Sequence, residues 1–179
     1  VGALYINDKI IKTRALSPVV FGGGQERGFR SGTENVAGIA GFGAAAEYGA
    51  KTLPSFLSGT ARLRERLENG ISAFAGHGVR INRPQTAVIA NHIISLTVPG
   101  IRSETLLHSL SADGVYVSSG SACSSNTGHA SYVLRSFGLS AADADATVRI
   151  SLGIQNTEED ITALCASLGQ GLQRLAKIK

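Results

Sequence analysis

Short strands and helices alternate through the second half of the chain. Runs rich in β-branched residues recur between segments with helical periodicity, and turn residues such as Pro99-Gly100 and Asp113-Gly114 separate them. The predicted strands are residues 79–82, 91–98, 114–117 and 147–153, and the predicted helices are 103–112, 132–137, 140–145 and 157–175. Short connections of this kind favour an α+β sandwich, with helices packed on one face of a small, mostly antiparallel sheet.

The first third of the chain has a different character. Residues 1–6 predict a buried strand, residues 35–51 a glycine- and alanine-rich helix, and Pro54 the start of a second helix. A glycine-rich stretch at residues 22–32 predicts the boundary between a leading segment and the domain that follows. The chain has no methionine and opens directly on an apolar run, so we expect it to be the back part of a longer protein.

Composition excludes several classes of function. The 179 residues carry a formal charge of +4, and the few aromatic residues are not interleaved with the basic ones, so no nucleic-acid stripe is expected. No run approaches membrane-spanning length. Two cysteines in unrelated contexts do not indicate disulfides, and the cytoplasm is the expected compartment. Cysteines, histidines and carboxylates show no metal-ligand spacing, so no metal is expected.

A loop of small and polar residues carries one thiol. Cys123 lies in the sequence Ser-Ser-Gly-Ser-Ala-Cys-Ser-Ser-Asn-Thr-Gly-His at residues 118–129, between a predicted strand and a predicted helix. Backbone N–H groups and a helix N-terminus can favour the thiolate, which is the nucleophilic form. An incidental surface cysteine is the alternative. Cys165, at helical spacing among leucines, is predicted to be an inert core residue.

Two further segments leave both a structural and a functional interpretation open. The glycines of residues 22–35, with Arg27, Arg30 and Thr33, could surround a phosphate or a carboxylate, or form a linker. Arg149 interrupts an apolar strand, where it either points to solvent or binds a carboxylate at the rim of a pocket. His129 follows the thiol loop and is expected to lie at the surface.

Together, three segments resemble one family, the pyridoxal-phosphate-dependent cysteine desulfurases within the class V aminotransferases. They are Gly-Gly-Gly-Gln-Glu-Arg-Gly-Phe-Arg-Ser-Gly-Thr-Glu-Asn at residues 22–35, Ser-Ser-Gly-Ser-Ala-Cys-Ser at 118–124, and Val-Arg-Ile-Ser-Leu-Gly at 148–153. Their order and separation also match, and the loop is similar to the long-loop branch of the family. The resemblance implies the small C-terminal domain of a fold-type-I transferase at residues 35–179, preceded at 1–34 by the end of the large cofactor domain and a crossing loop.

The resemblance also implies residue roles. Cys123 would take sulfur from L-cysteine as a persulfide, giving L-alanine, and pass it to an acceptor or scaffold protein for iron–sulfur cluster or thiolation pathways. Arg149 would bind the substrate α-carboxylate. Thr33 would reach the pyridoxal phosphate of the other subunit in a homodimer, and Arg30 would shape that loop.

One expected element is missing from the resemblance. In the family, the lysine that binds the cofactor covalently lies just before the Gly-Ala-Leu-Tyr run, which here is residues 2–5. We therefore expect the chain alone to bind no cofactor and to be inactive. Two alternatives describe the chain by itself: a cofactor-free persulfide carrier, or a dimerisation module.

Overall fold

The computed structural model describes residues 1–13, 15–84, 88–119 and 131–175. Its contacts divide the chain into two compact units, Val1–Leu53 and Pro54–Lys179. This division falls later than the boundary between residues 34 and 35 suggested by the sequence, which remains a prediction. Each unit is described by itself below.

The second unit contains a four-stranded antiparallel sheet. Its strands are β1 (Arg80–Asn82), β2 (Ile93–Thr97), β3 (Ser118–Ser119) and β4 (Thr147–Ser151), in the spatial order β1-β2-β4-β3. The helices are α2 (Val36–Ser72, which begins in the first unit), α3 (Ser103–Ala112), α4 (Tyr132–Ser136), α5 (Ala141–Asp145) and α6 (Glu158–Leu175). The α+β class and the antiparallel sheet are confirmed.

The core lies on one face of this sheet. Alternation along β2 and β4 sends Ile94, Leu96, Val148 and Ile150 to the same side, where each is at most 5% exposed. Leucines and isoleucines of α2, α3 and α6 complete the cluster: Leu63, Leu67, Ile71, Leu106, Leu110, Ile161, Leu164, Leu168 and Leu172. The opposite face of the sheet is therefore left to the polar residues of the same strands.

Side-chain caps mark the starts of two helices. The Ser140 hydroxyl accepts a hydrogen bond from the Asp143 N–H and so caps α5. Ahead of α6, Thr157 plays the same role toward the Asp160 N–H at 3.4 Å. The acidic side chains in the first turn of α6 interact favourably with the helix dipole and stabilise the helix, as the sequence predicts.

The first unit differs from the sequence prediction at its start. Residues 1–6 form no strand, and Val1, Leu4 and Tyr5 are all more than 70% exposed. A strand needs a neighbour for its backbone groups, and none of the described residues pairs with this one. The predicted buried strand is therefore wrong for this structure, and helix α1 (Asp8–Thr13) follows this segment.

The prediction of two separate helices around Pro54 is wrong, because helix α2 is continuous there. It runs for 37 residues with Pro54 in its interior. Proline removes one N–H, so the carbonyl of Ala50 loses its helical partner. Ala50 is exposed, and water can take the place of the missing donor. This explains why the helix continues where a break was expected.

Candidate functional site

The polar face of the sheet carries Arg149 at its centre. Arg149 follows Val148 on β4 and is exposed, while Val148 and Ile150 on either side are buried. Its register partners are Ser95 on β2 and Ser118 on β3. The guanidinium therefore stands on an open polar surface between two serines.

Arg149 has no ion-pair partner among the described residues. Most other arginines of the second unit lie within 4.0 Å of a carboxylate: Arg62, Arg64, Arg66, Arg80, Arg83, Arg102 and Arg174. In the described part of the chain, Arg149 and Arg135 are the exceptions in this unit. An unpaired guanidinium is available for a planar anion such as a carboxylate.

Strand β3 connects Arg149 to the thiol loop. Ser118 pairs with Arg149 and Ser119 with Val148, and the chain then enters residues 120–130, which lie outside the described residues. Cys123 and His129 belong to that segment. The strand that leads into the thiol loop is thus the direct neighbour of the strand that carries Arg149.

A hydrogen-bonded row of side chains lies beside Arg149 on the same face. Asn82 contacts both Ser95 (3.0 Å) and Thr97 (2.8 Å), and Thr97 lies 2.7 Å from Thr147. Thr97 and Thr147 are almost fully buried although they lie on the polar face. This row was not predicted from the sequence. Its signal is the alternation Ile-Ile-Ser-Leu-Thr at residues 93–97, which places Ser95 and Thr97 opposite the core.

One end of this row is fixed to α5. Thr147 Oγ1 donates to the carbonyl oxygen of Asp143 at 2.6 Å, and the Arg80 guanidinium lies 2.8 Å from the Asp143 carboxylate. Hydrogen bonds from Arg80 and Ser140 lower the pKa of Asp143 below its ordinary value, although burial acts in the opposite direction. The carboxylate is thus held ionised beside β1.

In the first unit, the glycine-rich loop has a fixed internal structure. The Ser31 N–H donates to the Val20 carbonyl (3.3 Å), and the Gly32 N–H donates to Gln25 Oε1 (3.1 Å). Glu26 and Arg27 adopt positive φ angles of 50° and 57°, which are uncommon outside glycine. These bonds and this backbone favour a defined loop over a linker.

Arg30 and Thr33 belong to this loop. Arg30 Nη1 donates to the Ser31 carbonyl at 3.1 Å, and a Cβ at Gly32, where φ is 114°, would lie 2.9 Å from the same nitrogen. Arg30 therefore braces the loop, and the positive φ at position 32 favours glycine there. Thr33 is exposed, and its hydroxyl has no hydrogen-bond partner among the described residues. Thr33 and Arg149 lie in different units.

The remaining nucleophile and the described lysines do not form a second site. Cys165 is half-buried at the edge of the core, and burial raises the pKa of its thiol, so its predicted inertness has a physical basis. Lys9, Lys12 and Lys51 are exposed on helices, and Lys51 pairs with Glu47. A pyridoxal phosphate site needs a lysine in a pocket. The described residues therefore do not fit a complete site for this cofactor.

The described part of the chain holds neither a metal-binding cluster nor a membrane-spanning helix. Three or more histidine, cysteine, aspartate or glutamate side chains do not come close enough there to hold a metal ion. Among the same residues, each helix is too short or too polar to cross a membrane.

The sequence and the fold of this chain are similar to those of known proteins. The chain is 41% identical to the cysteine desulfurase IscS of Clostridium botulinum over 163 residues, and 37% identical to cysteine desulfurase IscS 1 of Archaeoglobus fulgidus over 180 residues. These alignments cover 90% and 98% of the chain but only 40% and 44% of the relatives. The chain thus spans less than half the length of the curated relatives it matches.

Solved structures give the same result. A NifS-like protein superposes with a TM-score of 0.75 at 33% identity, covering 89% of this chain and 39% of that one. A NifS-like protein from Rickettsia africae gives 0.74 at 30% identity, covering 88% of this chain and 40% of that one. The family model for aminotransferase class V matches residues 1–164. The chain belongs to the class V aminotransferase family.

Proposed function

We propose that this chain is the C-terminal part of a cysteine desulfurase, which takes sulfur from L-cysteine as a persulfide on Cys123 and releases L-alanine. The observation that carries the proposal is the position of Arg149. It stands unpaired among the described residues on the polar face, beside the strand that leads into the thiol loop.

Arg149 is suited to bind the α-carboxylate of the substrate. A guanidinium can donate two parallel hydrogen bonds to a carboxylate, and none of the described carboxylates competes for Arg149. The neighbouring serines on β2 and β3 keep the surface polar without adding charge. An amino acid held here by its carboxylate would lie near the start of the thiol loop.

The number of residues between β3 and Cys123 would allow Cys123 to reach a substrate bound at Arg149. Only four peptide units separate it from Ser119, so its Cα can lie at most ~14 Å from the end of β3. In the proposed reaction a bond forms between the Cys123 sulfur and the substrate sulfur, and the carbon–sulfur bond of L-cysteine breaks. The carbon gains a proton, and L-alanine leaves. Cys123 keeps the transferred sulfur as a persulfide until an acceptor protein takes it.

The rest of the enzyme would supply the activation of the substrate carbon. Pyridoxal phosphate provides that chemistry in the family, but the described lysines do not fit it, so we propose that this chain alone is inactive. We further propose that Thr33, braced by Arg30, contacts the cofactor phosphate of a partner subunit in a homodimer. Residues 1–34 would then be the C-terminal end of the large cofactor domain with its crossing loop, and residues 35–179 would form the small domain. The cytoplasm would be the compartment.

A hybrid protein tests the proposal. The part of the Clostridium botulinum desulfurase that this chain does not span would be joined to this chain in one polypeptide. With L-cysteine, we expect L-alanine to form and mass spectrometry to find an added sulfur on Cys123. Cys123→Ser should abolish both products, while the matched control Cys165→Ser should retain them.

Two results would contradict the proposal. One is L-alanine formation at the same rate in the Cys123→Ser hybrid. The other is an added sulfur that resides on Cys165 instead. The chain by itself, mixed with pyridoxal phosphate and L-cysteine, should yield no L-alanine, and turnover there would disprove its proposed dependence on the rest of the enzyme.

A further inference from the structure

We infer that the Ser95 hydroxyl is a second donor to the substrate carboxylate beside Arg149, and that a directed chain of hydrogen bonds keeps its proton free for this purpose. The inference rests on the proposed function because it extends the carboxylate site of Arg149. It adds a specificity-determining residue, Ser95, and a positioning residue, Asn82.

A backbone carbonyl at one end of the hydrogen-bonded row sets the direction of donation along it. Thr147 Oγ1 lies 2.6 Å from the carbonyl oxygen of Asp143, and a carbonyl can only accept. Thr147 must therefore donate its single hydroxyl proton there. Thr97 Oγ1 lies 2.7 Å from Thr147 Oγ1, so Thr97 must donate its own proton to Thr147.

This assignment fixes the orientation of the Asn82 amide. Thr97 is 0% exposed and cannot turn to water, and its proton is already used. The 2.8 Å contact between Thr97 and Asn82 is then satisfied only if an amide N–H of Asn82 donates. Thr97 Oγ1 also lies 3.2 Å from Asn82 Oδ1, but it has no second proton to give.

The second N–H of the same amide reaches Ser95. Asn82 Nδ2 lies 3.0 Å from Ser95 Oγ, so Ser95 accepts from Asn82 and its own proton remains to be donated. Among the described residues, no acceptor takes that proton. Its register neighbour across the strands is Arg149, whose guanidinium can only donate.

Ser95 and Arg149 therefore form a patch that offers several hydrogen-bond donors to a ligand, and the guanidinium adds a positive charge that favours an anion. Directly opposed residues on one face of an antiparallel pair have Cβ atoms ~5 Å apart. A carboxylate has two oxygens and about four lone-pair sites, so one group can accept from both side chains. A neutral amide presents only one oxygen and adds a donor, so this patch distinguishes the acid from its amide.

Contacts that hold Asp143 of α5 in place keep the direction of these hydrogen bonds fixed. The carbonyl of Asp143 is the first acceptor of the hydrogen-bonded row. The carboxylate of the same residue lies 2.8 Å from the Arg80 guanidinium on β1. The N–H of Asp143 donates to the Ser140 hydroxyl that caps the helix. The first acceptor is thus held to the same sheet as the last donor.

Nuclear magnetic resonance of the full chain tests the inference. The Arg149 Nε–Hε resonance would be followed while L-alanine, the unreactive product, is added. L-Alaninamide, which lacks the carboxylate, is the matched control ligand. We expect Ser95→Ala to raise the Kd for L-alanine roughly 10- to 100-fold, the loss expected for one hydrogen bond to a charged group. Ser95→Thr, which keeps a hydroxyl, should restore most of the affinity.

Asn82→Leu separates positioning from general disruption. It should weaken L-alanine binding when Ser95 is present and have no further effect in a Ser95→Ala background, because Asn82 acts through Ser95. Independent, additive effects would overturn its positioning role. Backbone amide spectra of each variant verify that the sheet is intact.

The two proposals fail in different ways. If Ser95→Ala binds L-alanine as tightly as the wild type while Arg149→Gln abolishes binding, the inference about Ser95 is overturned and the carboxylate site stands. If the wild-type chain shows no saturable shift of Arg149, or the same shift with L-alaninamide, the carboxylate site itself is overturned and the inference with it.

Discussion

Removing Arg149 should leave the stability of the fold unchanged, whereas removing a structural arginine should not. Arg149 is exposed and has no ion-pair or hydrogen-bond partner among the described side chains. Arg64 is the matched comparison because it is also an arginine of the second unit. It is 5% exposed, lies 2.8 Å from Glu68, and donates to the carbonyl oxygens of Ala90 and Ile93.

The expected magnitudes differ several-fold. Arg149→Ala removes no described contact, so the free energy of unfolding should change by no more than ~0.5 kcal/mol. Arg64→Ala removes the ion pair with Glu68, although Glu68 keeps its pairing with Arg83. It also removes the guanidinium that donates to the carbonyls of Ala90 and Ile93. A loss of about 1.5–3 kcal/mol is expected for removing a charged hydrogen-bond donor of this kind.

Urea unfolding followed by circular dichroism measures the difference. With a slope of about 2 kcal/mol per molar urea, Arg64→Ala should lower the midpoint by ~0.7–1.5 M, and Arg149→Ala by less than ~0.3 M. Equal slopes are required for the comparison. A midpoint shift for Arg149→Ala near that of Arg64→Ala would show that Arg149 supports the fold, and would refute its assignment as a free binding group.

Three further predictions follow from other contacts. A Cβ at Gly70 would lie 2.5 Å from Cys165 Sγ, so Gly70→Ala should destabilise the chain by about 1–3 kcal/mol, and Cys165→Ala should relieve most of that loss in urea unfolding. Because burial raises the pKa of Cys165, iodoacetamide at pH 8 should label Cys123 before Cys165, and equal rates would contradict this. Since Arg80 lowers the pKa of Asp143, its stabilising effect is present above pH ~4 and lost as the pH falls below it; Asp143→Asn should flatten the urea midpoint between pH 5 and 2.5, and an unchanged pH profile would count against it.

Period-two alternation made the main strand predictable. Residues 147–153 were predicted as a strand and β4 is Thr147–Ser151, since Val148 and Ile150 alternate with polar residues and both are buried. The same pattern left the orientation of Arg149 open, and the register with Ser95 and Ser118 supplied it. Register depends on pairing across the sheet, which one strand's sequence does not specify.

Strand β3 shows why boundaries were harder. The β-branched run at residues 114–117 predicted a strand there, but the observed ladder begins at Ser118. The N–H groups of Gly114 and Val115 donate to Ser111 and Leu110 and close the end of α3. These groups are therefore not available for pairing, a competition between helix end and strand that propensity does not reveal.

The side-chain row on the polar face could be anticipated only in part. Alternation places Ser95 and Thr97 opposite the core, yet the hydrogen bonds of the row depend on α5 and on Asn82, which lies 13 residues before Ser95 in the sequence. Cys123 was singled out from composition alone, and its placement lies outside the described residues. Its role remains a prediction.

The pleat of β4 also limits how the length of this chain can vary. Deleting one residue within the strand would turn the guanidinium of Arg149 into the leucine-rich core and expose Val148 or Ile150 in its place. Deleting two residues would return Arg149 to the polar face of the sheet but shift it by two residues along the strand, away from Ser95. Insertions and deletions should therefore be tolerated in the segments beyond the ladder and excluded between Thr147 and Ser151, so that proteins sharing this site keep one strand length there while differing freely around it.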